Sequence, residues 1–253
     1  MISRRTMLAA SLGSVLASAC HGRVRAPDEL VIGSSPTGVP FSFVDPATNA
    51  LTGAIVDIAT SVTRALSLAP DLRITPFAAL IPSLVAGKID MIAAALLRTP
   101  EREKIVAFSR PVYAYEGALV VRDSDRRTYP DLAAARSLRV GGQIGTRFID
   151  QLHAAGVADV STYENLSDLL RDLDHGRIDA GYGDAPILRY QLRVGPRRAV
   201  RIVSGFRAPA REELCLVMRK GDTLLPQINR AIERLLPRRI PEIARHWQLE
   251  EAA

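Results

Sequence analysis

The chain has 253 residues, of which 47% are hydrophobic and 24% charged, and its formal charge is +6. That is core material for one large or two ordinary globular domains, and it excludes a disordered or fibrous chain. The basic excess is spread out. Its densest cluster, residues 193–201, holds no aromatic side chain and reads as a solvated basic face, not a nucleic-acid surface.

Residues 1–19 have the make-up of a signal peptide. Arg4 and Arg5 supply a positive start, residues 7–16 an apolar stretch too short to span a bilayer, and Ala17-Ser18-Ala19 a small-residue cleavage site. The protein is therefore expected to be exported. Ser3-Arg4-Arg5-Thr6-Met7-Leu8 resembles a twin-arginine signal with Met for the usual Phe, and an ordinary secretory start fits it equally. Leu16-Ala17-Ser18-Ala19-Cys20 resembles a bacterial lipobox with its Leu one place early, which makes Cys20 a candidate lipidation site. Residues 20–28 are a polar tether containing a proline.

A short strand at residues 30–33 opens the folded part and leads into a Gly/Pro/Ser loop up to Phe41. Ile55, Ile58, Val62 and Leu66 recur at helical spacing after the Leu51-Thr52-Gly53 turn. A second strand, residues 72–75, precedes an amphipathic helix through Leu80, Ile81 and Leu84 that stops at Gly87. The turn Lys88-Ile89-Asp90 gives way to an apolar run, residues 91–97, read as a strand. Thr99-Pro100-Glu101-Arg102 then starts another helix, because a hydroxyl caps free amides, proline suits the first helical position and an acid favours the positive end of the dipole. An apolar strand at residues 117–122 ends in a charged break at residues 123–127.

Beyond the break come a short helix (131–136), a strand (138–142), a helix opened by Thr146, a strand (160–163) and a helix lined by Leu166, Leu169, Leu170 and Leu173. Gly176-Arg177-Ile178-Asp179 follows, then a strand reaching Asp184 and a helix holding Pro186. The succession of amphipathic helix, Gly-basic-Ile-Asp, strand and helix start thus occurs twice, at Gly87-Lys88-Ile89-Asp90 and at Gly176-Arg177-Ile178-Asp179. Two similar α/β lobes facing one another account for it, whereas two copies are too few for a solenoid. A strand at residues 213–219, the Gly221-Asp222 turn, a stripe through Leu225, Ile228, Ile232, Leu235 and Leu236, and a last helix at 241–247 return the chain to the first lobe. The expected division is 29–118 with 212–253 as lobe 1 and 119–211 as lobe 2, the chain crossing twice.

Cys20 and Cys215 are the only cysteines. They cannot build a disulfide or metal framework, and Cys215, inside the apolar run 214–218, reads as a buried small hydrophobe. His21, His153, His175 and His246 lack ligand spacing and read as surface or helix-end residues.

The ordered set Phe77-Ala78-Ala79-Leu80-Ile81-Pro82-Ser83-Leu84, Gly87-Lys88-Ile89-Asp90, Thr99-Pro100-Glu101-Arg102, Phe108-Ser109-Arg110-Pro111, Gly145-Thr146, Gly176-Arg177-Ile178-Asp179-Ala180, Gly183-Asp184 and Arg219-Lys220-Gly221-Asp222 resembles the bacterial extracellular solute-binding proteins of family 3, the polar amino-acid receptors of ABC importers. The resemblance covers residues 30–247. It implies a type II periplasmic-binding-protein fold, two α/β lobes joined by two crossover strands and closing on a small ligand. Arg102 would bind the ligand's α-carboxylate, Thr146 would meet the same group from the opposite lobe with its amide and hydroxyl, and Asp184 would take the α-ammonium. Phe77, Leu97 and Thr99 complete the candidate ligand-binding set on the first lobe, and Gln143 and Arg147 flank the second-lobe loop. A planar guanidinium matches a carboxylate bidentately, and free amides at helix starts favour anions. Asp57, Asp90 and Asp179 are read as structural.

The chain also departs from the family. Leu97 replaces a side chain that often helps to hold the amino group, Gly38 stands where an aromatic often covers the ligand side chain, and Ala78 stands where Asp is frequent. Arg98 has two readings, a second positive charge suited to a diacid or a solvent-facing residue. The resemblance implies a periplasmic, monomeric receptor working with an ABC permease, without cofactor, metal, nucleic acid or catalytic residue. The competing expectations are a periplasmic dehydratase acting on cyclic acids such as prephenate, which needs a cleft acid or base beyond the clamp, and a free-standing sensor subunit.

Overall fold

The computed structural model describes residues 28–249. The expectations for the leader, Cys20 and nearly all of the tether lie outside the described residues. The chain runs β1 (Glu29–Ser34), β2 (Thr37–Gly38), β3 (Ser42–Val44), β4 (Leu51–Thr52), α1 (Ala54–Ala65), β5 (Ala69–Ile74), a 3-10 turn at Phe77–Ala79, α2 (Leu80–Val85), β6 (Met91–Ile92), α3 (Pro100–Glu103) and β7 (Val106–Arg122). A 3-10 turn at Leu132–Ala135 leads into β8 (Arg139–Gln143), α4 (Arg147–Ala154), β9 (Asp159–Tyr163), α5 (Leu166–Asp174), β10 (Ala180–Asp184), α6 (Ala185–Val194) and β11 (Val200–Ile202). The chain closes with β12 (Arg211–Arg219), α7 (Leu225–Leu235) and α8 (Arg239–His246).

Among the described residues nine strands form one continuous sheet, in the order β5-β1-β6-β12-β7-β10-β8-β9, with β11 also on β7. One strand makes it continuous. β7 pairs with β12 from Val106 to Glu116 and with β10 from Gly117 onward, so it leaves one half of the sheet and enters the other without interruption. Each half is a parallel βαβ arrangement around a first strand, β1 or β8. In such sheets ligands collect at the carboxyl ends of the strands.

Helix α1 buries Ile55, Ile58, Ala59 and Val62, the face its spacing marks out. The two terminal helices α7 and α8 pack on α1, and Trp247 Nε1 donates to Asp57 Oδ2 at 2.8 Å, which ties the end of the chain to the first half. Cys215 is fully buried within a small cluster with Leu80, Leu84, Ile92, Phe108 and Val217. Burial pushes its thiol up to about 11, in keeping with a packing residue. His153 and His246 lie in last helical turns and His175 is a C-cap, so all three stand at helix ends.

The elements differ most from the sequence expectation in three places, and β11 falls in a stretch for which no element is expected. The loop to Phe41 contains β2, which with β3 and β4 just beyond it makes a separate three-stranded sheet. The apolar run 91–97 is a strand only at Met91–Ile92; the remainder is buried as irregular chain, because an apolar run reports burial and not a ladder partner. β7 starts at Val106, eleven residues before the expected Gly117. Pro111 disguises it, sitting opposite Cys215 where the register of β12 slips, the kind of irregularity a sheet needs to accept a proline.

Candidate functional site

Three chain segments converge where the halves of the sheet meet. The first is the short helix α3. Thr99 is extended, and its hydroxyl accepts the Arg102 amide at 3.2 Å, so the cap works as the sequence implies. The helix has only four residues, which keeps Arg102 close to its start. The Arg102 guanidinium reaches across the gap: Nη1 donates to the Leu97 carbonyl of its own half and Nη2 to the Gly145 carbonyl of the other, at 2.8 Å. Burial pulls its pKa below the ordinary value, while Asp150, Tyr115 and Asp184 oppose the shift and Arg147 adds to it.

The second segment is the turn between β8 and α4. Gly145 takes φ +72°, a left-handed turn that glycine accepts without strain. Thr146 holds the N-cap place of α4, but its hydroxyl donates back to Gln143 O at 2.7 Å and does not cap. Its amide points at the same carbonyl, at 3.3 Å. The first-turn amides of α4 therefore have no side-chain cap, a local excess of donors. Gln143 Nε2 donates to Glu164 O at 3.0 Å.

The third is Asp184, which ends β10 and is 2% exposed. Although it precedes a helix with proline in its first turn, its carboxylate makes no cap bond. Oδ1 instead accepts the Tyr115 hydroxyl at 2.5 Å. Burial raises the Asp184 carboxyl to about 6, against the lowering effects of Tyr115, its own backbone and Arg102. An acid held this way is stabilised by a cation placed beside it. Burial in turn raises the Tyr115 phenol well above its ordinary range, with Asp184 adding to the effect.

Phe77, Gln143, Thr146 and Asp184 line one cavity of about 10 Å³, together with Ser35, Thr37, Gly38, Ser42, Ala95 and Ile187. Thr99, Arg102, Arg147 and again Thr146 line an adjoining cleft of about 550 Å³. Glu101 and Asp150 line the cleft as well, so its two arginines face two carboxylates, and Thr146 is the wall it shares with the cavity of Asp184. Leu97 lines neither; it is buried, bridges to Leu214 and contributes its carbonyl to Arg102. Arg98 follows neither of its two readings: Nη2 donates to Ser109 O at 2.7 Å and Nη1 pairs with Glu213 at 3.1 Å.

Sequence reasoning missed a network behind the cavity. Glu212, on β12, accepts Arg147 Nε at 2.7 Å and Gln151 Nε2 at 2.6 Å, and the Tyr182 hydroxyl donates to Gln151 Oε1 at 2.6 Å. This fastens α4 to β12 and gives Arg147 a structural partner. The available signal was the four-residue spacing of Arg147 and Gln151, which puts both on one helix face. Tyr115 and Ser42 were also missed, one inside a strand hidden by Pro111 and the other just past the loop to Phe41, in a stretch given no reading.

A profile of the bacterial extracellular solute-binding proteins, family 3, matches residues 30–250. The chain belongs to that family. The histidine-binding periplasmic protein of Salmonella typhimurium is 34% identical over 183 residues, 70% of this chain and 69% of its own. ABC transporter arginine-binding protein 1 of Escherichia coli is 29% identical over 189 residues, 75% and 76% of the two chains. Among solved structures, an ancestral arginine-binding protein bound to glutamine superimposes with a TM-score of 0.81 at 28% identity, covering 89% of this chain and all of the other. An ancestral amino-acid-binding protein described as a precursor of cyclohexadienyl dehydratase gives 0.78 at 25%, covering 87% and 95%. The fold is therefore the type II periplasmic-binding fold of this family, two α/β lobes joined by crossover strands, of which β7 is one.

Proposed function

We propose that the chain is the periplasmic receptor of an ABC-type importer and that it captures a small α-amino acid between two closing lobes. In this reading residues 29–118 with 212–253 form one lobe and 119–211 the other. Their hinge is the pair of strands β7 and β12, and closure presents the trapped form to a membrane permease. The observation that carries the reading is the placement of opposite charges on either side of Thr146: a guanidinium in the cleft and a buried, cation-seeking carboxylate in the cavity.

Arg102 and the uncapped start of α4 would take the α-carboxylate. Arg102 already spans the gap to Gly145 O, so a carboxylate arriving there exchanges a neutral acceptor for a charged one, the stronger hydrogen bond. Asp184 would take the α-ammonium. A cavity of about 10 Å³ has room for roughly one water, so a solute enters while the lobes are apart and the halves re-form around it. The names of the relatives, which are amino-acid-binding proteins, support the solute class.

A dehydratase would need an acid or base free of substrate holding. Asp184 is the one carboxylate on the cavity wall among the described residues, and the ammonium claims it; Glu101 and Asp150 line only the adjoining cleft, on the Arg102 side of Thr146, which favours a receptor. Thermal unfolding in the presence of single amino acids and small organic acids tests the proposal. A bound solute at a hundred times its dissociation constant adds about 2.7 kcal/mol of stability. If no carboxylate solute raises the midpoint, the receptor reading is wrong; turnover of a bound solute, followed by mass spectrometry, would replace it with the enzyme.

A further inference from the structure

Ser42 sits on β3 with 0% exposure, and its hydroxyl has no hydrogen-bond partner among the described residues. Buried hydroxyls are rarely left in that condition, because leaving water without a replacement partner is costly. The residue nevertheless lines the cavity that Asp184 and Thr146 share. Whatever fills that space in the working protein is within reach of an unspent donor and acceptor.

The rest of the wall narrows what that filler is. Ser35 Oγ and Thr37 Oγ1 lie 3.0 Å apart on the same cavity, and Gln143 spends its amide nitrogen on Glu164 O, leaving its carbonyl oxygen to offer. These groups are neutral. Asp184 is the single formal charge on that wall among the described residues; the adjoining cleft holds Arg102 and Arg147 with Glu101 and Asp150, and Glu212 already takes Arg147. One zwitterion pairs Arg102 and Asp184. A charge at the end of the solute's side chain, set against the Ser42 wall, would find no partner there beyond Asp184, which the ammonium takes, a situation that costs far more than a neutral group that finds a hydroxyl.

We propose that Ser42 is a ligand-contact residue and that the solute is an α-amino acid whose side chain ends in an uncharged hydrogen-bonding group, a hydroxyl or a carboxamide. This rests on the receptor reading above, in which Arg102 and Asp184 hold the two α-groups.

Isothermal titration calorimetry at pH 7.5 with glutamine, asparagine, serine and threonine, set against arginine, lysine, glutamate and aspartate, tests the solute class. At least one neutral polar amino acid should bind thirtyfold or more tighter than every charged one. A charged amino acid binding tightest overturns this inference and leaves the receptor standing. Absence of binding by any amino acid overturns both. The residue is tested with Ser42→Ala, using the best polar ligand and its alkyl counterpart, leucine for glutamine or valine for threonine. Affinity for the polar ligand should fall about tenfold and that for the alkyl counterpart by less than twofold, with the melting temperature of the ligand-free variant unchanged or higher. Equal losses for both ligands, or none for either, overturn the contact.

Discussion

The two halves of the molecule solve one structural problem in the same way and then part company. In each, a helix ends on a left-handed glycine, Gly87 or Gly176, whose amide bonds back three residues while the next amide bonds back five. The following aspartate clamps the half's first strand. Asp90 gives its amide to Val31 O and accepts Val31 N at 3.0 Å; Asp179 gives its amide to Arg139 O and accepts Arg139 N at 3.2 Å. An arginine at the far end of β12 or β7 completes each clamp. Arg219 reaches Ile89 O and Asp90, and Arg122 reaches Ile178 O and Asp179. Past the clamps the halves differ. β6 stops after two residues and irregular chain carries the path to Arg102, whereas β10 runs five residues straight into Asp184. A duplicated anchor thus holds tips of opposite charge, which is what a zwitterion requires.

The comparison breaks most readily at the tips. Arg102→Ala should weaken solute binding by about 2 to 5 kcal/mol, because it leaves a carboxylate unpaired in a closed cleft. That is roughly thirtyfold to several-thousandfold by calorimetry. Asp184→Ala should lose affinity on the same scale by stranding the ammonium. A variant of either residue that binds as the parent does would remove its tip from the pairing.

Next come the anchors. The Asp90 side chain is 7% exposed against 24% for Asp179, and Asp179 shares its carboxylate with a second, half-exposed arginine, Arg139. Removing the better-buried partner should cost more. Asp90→Ala is expected to lose about 3 kcal/mol of stability and Asp179→Ala about 1 kcal/mol, read from urea unfolding. Equal losses would show that the anchors are equivalent in energy as well as geometry. Bonds from Arg139 hold the Asp179 carboxyl well below the usual carboxylate range. Its contribution is therefore present above the unfolded carboxylate value near 4 and fades as pH falls toward the native one.

Much of this was legible in the sequence, because anchors are local. Gly87-Lys88-Ile89-Asp90 and Gly176-Arg177-Ile178-Asp179 announce themselves through glycine's freedom and helical periodicity, and Thr99-Pro100-Glu101-Arg102 caps the helix its chemistry implies. What failed turned on bonding partners, most of them distant in sequence. Thr146 and Asp184 look like caps but bond elsewhere, Thr146 to Gln143 O and Asp184 to a tyrosine sixty-nine residues away. Arg147 reads as a specificity residue until Glu212, on β12, takes its charge. The crossing strand itself is concealed by Pro111, tolerated because its partner slips register there.

The acidic tip adds a pH dependence that the basic tip lacks. A buried carboxyl raised to about 6 gives stability that is complete below its unfolded value near 4 and is lost as pH rises through 6, on the order of 3 kcal/mol. Ligand-free protein should gain stability on acidification relative to Asp184→Asn, which lacks the group. Binding should run the other way, since a proton and an ammonium compete for the same oxygens. Affinity is expected to fall by up to about tenfold per pH unit below 6 and to stay flat in Asp184→Asn. A flat profile in the parent would mean that the ammonium is held elsewhere.

The smallest effect separates Asp184 from its support. The Tyr115 hydroxyl bonds the charged form of Asp184 and pulls its pKa down, so Tyr115→Phe should raise it further, by about one unit for a bond worth about 1.4 kcal/mol. The break in the affinity profile then moves from near 6 to near 7. At pH 7 the variant should bind about twofold more weakly, with half its acid protonated, and at pH 8.5 it should match the parent. Such a loss confined to lower pH shows that Tyr115 acts through the acid. A loss equal at both values would instead make Tyr115 a direct contact of the solute, and the pole of the second half would then be shared with the crossing strand.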